Sequence, residues 1–519
     1  MQLTLAFIII LLATLENVWP IIAGFQAAPK GVVFLGTIHH SGDYFYYLSQ
    51  FAQGATHWLM GRDLYTSESV PPVLVGWSNI FFGHIFHLVG FSQISAYHTS
   101  VIILTILLMA CGYRLAFSVF GSRRPSILTL YLFVLYHAFP IRDHGTLTYS
   151  DYWNNYAIPN VRLGGVPHQL FTAIISIIAL FGIIDWLKAS QKRQWGHISI
   201  LTVSGLMLAS LQPVLWALLV ISSGATLLIY GLSQKYKLKQ LSTLCIPVIC
   251  IGIGGIFPAL YLTKLFSQLP FLQLKLWESV QQNQLSFSHF ILATGPIFLI
   301  AIIAVPSFLK AKTPEKLILA IFAGSSLLLS ISPIPALIGI TQVRFMSTLT
   351  ILAFSIIAAY GLWKCFHGKP LIIILALLTA ILLPSHLKTI SLTSAFDPGN
   401  AYQYLSASDY TFLQTAAKVS KDDEDVFLII WPYDVIFPGL TGRRSFNGHT
   451  LLTIHSAQKD SMSQLFFDGS MSEVEMRNLL ITNHVGYVLG YTWSPKLELL
   501  PFLTRVTSSP NLVLYRVDK

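Results

Sequence analysis

The chain has 519 residues, 54% hydrophobic and 10% charged, with a mean hydropathy of +0.64. So much apolar side chain with so little charge excludes a soluble globular protein of this length and indicates a polytopic membrane protein. The net charge of +10 does not point to a nucleic-acid partner, because Lys and Arg sit in short clusters between apolar runs, as topology-setting charges do.

In chain order, Leu3 to Phe25 is an apolar run of about the ~20 residues that span a bilayer. It has no basic segment ahead of it and is long for a signal peptide, so it reads as a retained first span with Pro20 near its outer end. The stretch from His39 to Gly90 follows, with Asp43, the aromatic run Tyr44, Phe45, Tyr46, Tyr47, and a Pro71-Pro72 pair. Further apolar runs occur at about 98–120, 126–140, 167–187, 198–211, 214–232, 242–263, 290–309, 317–332, 346–363 and 370–385. The segment 73–91 is the ambiguous one. If it lies along the membrane surface, the clusters Arg123/Arg124, Lys188/Lys192/Arg193, Lys235/Lys237/Lys239, Lys310/Lys312/Lys316 and Lys364/Lys369 all fall on one side, the cytoplasmic one. Its His84, His87, Asn79 and Ser78 also suit an interfacial helix. The expected architecture is therefore about 11 spans with the N-terminus inside and a large first outer loop, residues 26–97, carrying interfacial helices. Other outer segments are 141–166, 264–289 and the turn from Pro333 to Phe345. Gln212-Pro213 predicts a turn between two helices.

The expected domain boundary lies at residue 385, and residues 386–519 have the composition of a small extracytoplasmic α/β domain. Asp409 to Val419 and Met471 to Asn483 predict helices, the second opened by Ser472, and Asp425 to Trp431, Val485 to Tyr491 and Leu512 to Val517 predict strands. Within it, GLTGRRSFNGHT places Arg443, Arg444 and His449 among glycines, where backbone amides can approach an anion; carbonyl binding or solvation of the two arginines explains the pattern equally. Cys111, Cys245, Cys250 and Cys365 lie in or beside apolar runs and show neither a disulfide framework nor metal-ligand spacing.

The outer segments carry the candidate chemistry. Asp43, just beyond the first span, can accept a proton from a hydroxyl or hold a divalent cation; as an acid in a first helical turn it can also simply cap the helix. The second outer segment, IRDHGTLTYSDYWNN, adds Asp143, His144, Asp151 and Trp153. His39-His40 are adjacent and converge poorly on one ion, which favours a surface role for them. Arg344 is sharper: an arginine in the nearly uncharged turn SPIPALIGITQVRF needs an anion, and its planar fork suits phosphate, with snorkelling as the plainer role. Lys264, Lys275, Trp277 and Glu278 can line the same groove.

A first span, a long outer loop with an early Asp, a YT-E--PP stretch (Tyr65 to Pro72) running into an amphipathic helix that ends in Gly90, and a span closing on Arg123-Arg124 resemble the GT-C superfamily of polyprenyl-phosphate-sugar-dependent glycosyltransferases. The QVRF turn at 342–345, LTGRRSFNGHT, FFDG at 466–469 and the terminal LVLYRV resemble bacterial members with an extracytoplasmic C-terminal domain. The resemblance implies transfer of a sugar from a polyprenyl phosphate to an extracytoplasmic acceptor, a cell-envelope glycan, lipid or protein, at the bacterial cytoplasmic membrane. It implies Asp43 as the first-loop catalytic acid, Asp143 or Asp151 as the second, and Arg344 with Lys275 at the donor phosphate. His40, Tyr44, Tyr47, Trp58, His144 and Trp153 would line the substrate. A divalent metal, Mg or Mn, would be the cofactor with Asp43 as a ligand, although the chain departs from the superfamily in having no clear Asp-X-Asp pair in either loop. The competing readings are a transporter or lipid flippase, against which the spans carry few ionisable groups, and a non-catalytic scaffold of envelope glycan assembly.

Overall fold

A computed structural model describes every residue except 1, 39, 144–145, 150–164, 189–193, 282–285, 311–312, 421–423 and 519. The chain divides into two compact units, one of Met1–Val18, Val101–Lys264 and Glu278–Leu392, the other of Trp19–Ser100, Leu265–Trp277 and Thr393–Lys519. Trp19–Ser100 and Thr393–Lys519 therefore share a unit.

The first unit is a bundle of apolar helices. Among the described residues nine helices of the chain are long and apolar enough to cross a membrane, from Gln2–Ala27 to Lys369–Thr393. They fall in nine of the eleven expected positions. The other two are occupied by shorter helices, Arg123–Leu135 and Gln194–Leu211. Pro213 opens the next helix at Gln212, as the expected turn requires. The bundle is centred on Thr348–Cys365, whose side chains are buried on nearly every face and which packs against Phe287–Leu309 and Arg123–Leu135. Small residues permit the closest crossings, since apolar side chains alone gain little from leaving lipid. A methyl group on Gly205 would meet the Ile251 carbonyl oxygen at 2.1 Å, and one on Gly254 the Thr202 carbonyl oxygen at 2.1 Å.

The second unit is α/β. Strand β1 (Val32–Phe34) pairs antiparallel with β4 (Tyr404–Ser406), Val33 opposite Leu405; β2 (Pro140–Asp143) and β3 (Thr146–Tyr149) form a hairpin in the membrane unit. The main sheet has the order β6-β5-β7-β9-β8. Its strands are β5 (Val426–Ile429), β6 (Arg444–Ser445), β7 (Val485–Tyr491), β8 (Leu503–Ser508) and β9 (Leu512–Val517). β5 is parallel to β6 and β7, while β9 is antiparallel to both β7 and β8. Val426, Leu428, Phe446, Phe466, Leu480, Val488 and Val513 fill its core. The helix Glu473–Thr482 begins in a capping box, with the Ser472 hydroxyl accepting the Glu475 N–H and the Glu475 carboxylate accepting the Ser472 N–H.

Two helices clamp a third. The Ser41–Gln53 helix lies between Trp77–Leu88 and Tyr433–Thr441. Glycine makes both approaches close: a Cβ at Gly83 would stand 2.4 Å from the Phe51 carbonyl oxygen, and one at Gly439 2.8 Å from the Phe45 ring. Trp77–Leu88 has 12 residues, about 18 Å at 1.5 Å per residue, too short for a crossing; the 73–91 segment is not a span.

Candidate functional site

The clamped helix Ser41–Gln53 carries Asp43 in its first turn. Its inward face is Tyr44, Phe45, Leu48 and Phe51, all nearly or fully buried, and the Tyr44 hydroxyl donates to the Leu35 carbonyl at 2.7 Å. Burial holds that phenol well above its ordinary pKa, so Tyr44 is part of the packing that fixes the helix. The N-cap residue is His40, whose side chain makes no capping bond and is exposed. The Asp43 side chain keeps 42% of its surface open, and its Oδ1 stands 3.8 Å from His449 Nε2.

His449 reaches that position through the glycine-rich turn. Gly442, at φ +70°, ends the Tyr433–Thr441 helix in the left-handed conformation. Gly448, at φ +149°, lets the chain pass the Asp434 carbonyl, which a Cβ there would approach to 2.7 Å. The Leu451 N–H donates to His449 Nδ1 at 3.2 Å, which leaves the ring proton on Nε2, the nitrogen that faces Asp43. The imidazole is 9% exposed and is flanked by the rings of Tyr46 at 5.8 Å and Tyr65 at 5.9 Å. The arginines of the turn are spent on backbone. Arg443 donates to the Ala417 and Ser420 carbonyls at 3.1 Å each; Arg444 donates to the Glu424 carbonyl at 2.5 Å and pairs with the Glu424 carboxylate at 3.3 Å.

Beneath this pair lies a second carboxylate, Asp63, which sequence reasoning did not single out. It is 4% exposed; Oδ1 accepts the Tyr65 N–H at 3.0 Å, and Oδ2 has no hydrogen-bond partner among the described residues. Burial raises its pKa to about 7, against the lowering pull of the Tyr65 N–H and of His449 and Lys459. Asp434 is likewise raised to about 7 by burial. It accepts its own neighbour's N–H, Val435, at 2.9 Å, and the Asn447 amide, which also donates to Asp460 at 2.8 Å. Lys459, buried and with its pKa lowered by that burial, donates to Glu68 at 2.5 Å, Ser67 at 2.9 Å and Thr66 at 3.1 Å. The signal available in the sequence was only that GRDLYTSES puts two acids in the first outer segment, which many exposed loops also do.

Of the other expected residues, Tyr47 is half-buried with its ring 5.8 Å from that of Tyr46. Trp58 is exposed, its ring 3.8 Å from that of His84. Lys275 is exposed on the Phe271–Val280 helix. Asp143 ends β2, opposite Thr146, while His144, Asp151 and Trp153 lie outside the described residues. In the membrane unit Arg344 sits on the 3-10 turn Gln342–Phe345 and forks onto one carboxylate: Nε to Glu278 Oε1 and Nη2 to Glu278 Oε2, both 3.0 Å.

Of the residues expected at a metal, Asp43 is described, while Asp151 and His144 lie outside the described residues. Among the described residues no three His, Cys, Asp or Glu groups converge as ligands, and the His449 nitrogen nearest Asp43 carries a proton in this arrangement.

No family model matches the sequence, and no curated protein matches it either. Solved structures do. The oligosaccharyltransferase AglB of Archaeoglobus fulgidus in its apo form is 13% identical, aligned over 94% of this chain and 69% of that one, with a TM-score of 0.55. The same protein in complex with an inhibitory peptide and a dolichol-phosphate gives 13%, 94%, 69% and 0.54. The chain shares its fold with this oligosaccharyltransferase. ArnT of Cupriavidus metallidurans bound to undecaprenyl phosphate, 12% identical, aligns over 97% of both chains with a TM-score of 0.49.

Proposed function

We propose that this chain is an integral membrane glycosyltransferase that moves a sugar from a polyprenyl phosphate to an extracytoplasmic acceptor. The observation that carries the reading is the approach of His449 Nε2–H to the Asp43 carboxylate at 3.8 Å, on a helix that two glycine crossings hold in place, within a GT-C fold. AglB, with the same fold, has been seen with a dolichol-phosphate, which supports a lipid-linked donor here.

In this reading the acceptor hydroxyl gives its proton to Asp43 as its oxygen bonds to the anomeric carbon of the donor. The bond from that carbon to the phosphate oxygen breaks, and its electron pair leaves with the polyprenyl phosphate. His449 Nε2 stands 3.8 Å from the acting carboxylate oxygen, and the Leu451 N–H bonded to its Nδ1 fixes the orientation of the ring. Arg344 is assigned to the leaving phosphate, whose growing charge its fork suits; Glu278 keeps that fork spread and ordered until donor arrives. Asp143 or Asp151 remains the proposed second-loop acid, with His40, Tyr47, Trp58, His144 and Trp153 along the substrate. The basic clusters support an N-terminus in the cytoplasm and a C-terminal domain outside, and in this reading the membrane is the bacterial cytoplasmic one.

Transport is favoured by one observation, a Glu16–His386 pair of 3.1 Å between two spans. A single such pair is fewer ionisable groups than a translocation path commonly carries. The test is transfer of labelled sugar by purified protein in lipid. Asp43→Asn keeps the size and the helix-start preference and removes the base, so transfer falls by roughly a hundredfold or more with insertion unchanged. Full activity in the variant would sink the assignment of Asp43, and no transfer by wild type from a range of donors would sink the enzyme reading.

A further inference from the structure

Two indoles in the α/β unit stand largely in water: Trp431 is 68% exposed and Trp493 71%. Each follows a strand, Trp431 after β5 and Trp493 after β7, so both lie at the carboxyl ends of neighbouring parallel strands. The chain passes from β5 to β6 on one side and returns to β7 on the other. Open α/β sheets hold ligands outside the carboxyl ends of their strands at such a reversal.

These rings are braced. Tyr491 stacks on Trp493 with centroids 4.7 Å apart and planes 13° from parallel, and its hydroxyl donates to the Trp431 carbonyl at 3.2 Å. Tyr433 meets Tyr491 edge-on at 6.1 Å, and Tyr402 meets Trp431 edge-on at 6.5 Å. The buried Asp409, which accepts from Asn511 Nδ2 at 3.0 Å, also hydrogen-bonds Tyr433. Large aromatic faces that are both exposed and fixed lose little freedom when covered, which is what a binding surface needs.

We propose that Trp431, Tyr491 and Trp493 form a saccharide-binding subsite that stacks the C–H face of a pyranose ring. A flat, uncharged partner fits best. Among the described residues no Lys or Arg lies over these rings, the cation–π pairs falling on Phe181, Phe308, Tyr360 and Phe446. The buried carboxyl groups beside the brace are Asp409, against Tyr433, and Asp434, near Tyr402. An anionic headgroup or membrane surface would call for basic residues in that position. On the transferase reading above, on which this role rests, the subsite holds the sugar chain of the acceptor; binding itself needs no donor.

Calorimetric titration of the full chain in lipid nanodiscs with cello-, chito-, malto- and α-1,6-mannotetraose, without donor, tests it. At least one tetrasaccharide binds at millimolar concentration or tighter. Trp493→Ala and Trp431→Ala each weaken it about tenfold, in line with lost aromatic stacking, Trp493→Phe restores part, and Leu499→Ser on the same loop changes nothing. Absence of binding by all four sugars, or binding unaffected by both Trp→Ala variants, overturns the subsite. So does quenching of Trp493 by brominated lipid, which would make the loop a membrane contact. Sugar binding without transfer would defeat the transferase reading and keep the subsite; transfer without sugar binding would do the reverse.

Discussion

Replacing Asp63 by Asn should change stability relative to wild type by an amount that grows in the variant's favour as pH rises across the neutral range. The carboxyl group is 4% exposed, and burial lifts its pKa from 3.8 to about 7. The folded chain therefore holds this proton more tightly than the unfolded chain. Its stabilising contribution is fully present below the unfolded value and is lost as pH rises through the folded one. The difference amounts to about 4 kcal/mol above pH ~7, at about 1.4 kcal/mol per pH unit. Asn cannot ionise, and its Oδ1 keeps the Tyr65 N–H at 3.0 Å. Its amide nitrogen takes the place of Oδ2, which has no partner among the described residues, and that buried donor costs about 1–3 kcal/mol. At about pH 8 the variant gains about 1–3 kcal/mol over wild type; at about pH 5, roughly 1.2 units above the unfolded value, the wild type has lost only about 1.6 kcal/mol, so the variant's relative gain is smaller by about 2.5 kcal/mol. Hydrogen exchange of residues 61–68 in the full chain at both pH values reads the local stability. A difference between the two proteins that does not vary with pH, or that varies with the opposite sign, refutes the buried ionisation.

Arg344→Ala should weaken polyprenyl phosphate binding by about 1.5–3 kcal/mol, more than Arg344→Lys, while Glu278→Gln should tighten it because phosphate then meets no competing carboxylate; titration with the lipid phosphate measures all three, and equal affinities would leave Arg344 as an internal ion pair. Lys459→Met should destabilise the α/β unit by about 3 kcal/mol, read as a lowered midpoint of unfolding, with Lys459→Met/Glu68→Gln recovering part. Gly254→Leu should force apart the helices Gln194–Leu211 and Leu238–Leu265, whose backbones meet there, and reduce the yield of folded protein in detergent; a normal yield would show that the crossing can spread at little cost.

Most of the helical framework was legible because apolar runs and basic clusters are one-dimensional signals. β7 and β9 fell on the residues where strand-forming runs predict them, and Ser472 marked its helix by a capping pattern that is wholly local. The strands β1 and β4 were not legible: each has three residues, and neither means anything until paired with a segment remote in sequence. Asp43 stood out by its position after the first span, whereas Asp63 did not, since its burial depends on Lys459 and on the turn at His449 rather than on its neighbours. The arginines of GLTGRRSFNGHT were visible as unusual residues, but only three dimensions show that carbonyls of residues 417, 420 and 424 receive them.

Pairing of β1 with β4 also bears on how the protein is made. Val32–Phe34 leaves the ribosome early, and its partner Tyr404–Ser406 follows after nearly all the membrane helices. For most of synthesis, therefore, the first outer segment carries an open strand edge of the kind that associates with other chains. Asp43 waits equally long for His449. A ribosome stalled between those points would release a chain with the Asp43 helix but without His449, so arrested or truncated products should carry the unpaired β1 edge and depend on chaperones until the last segment emerges.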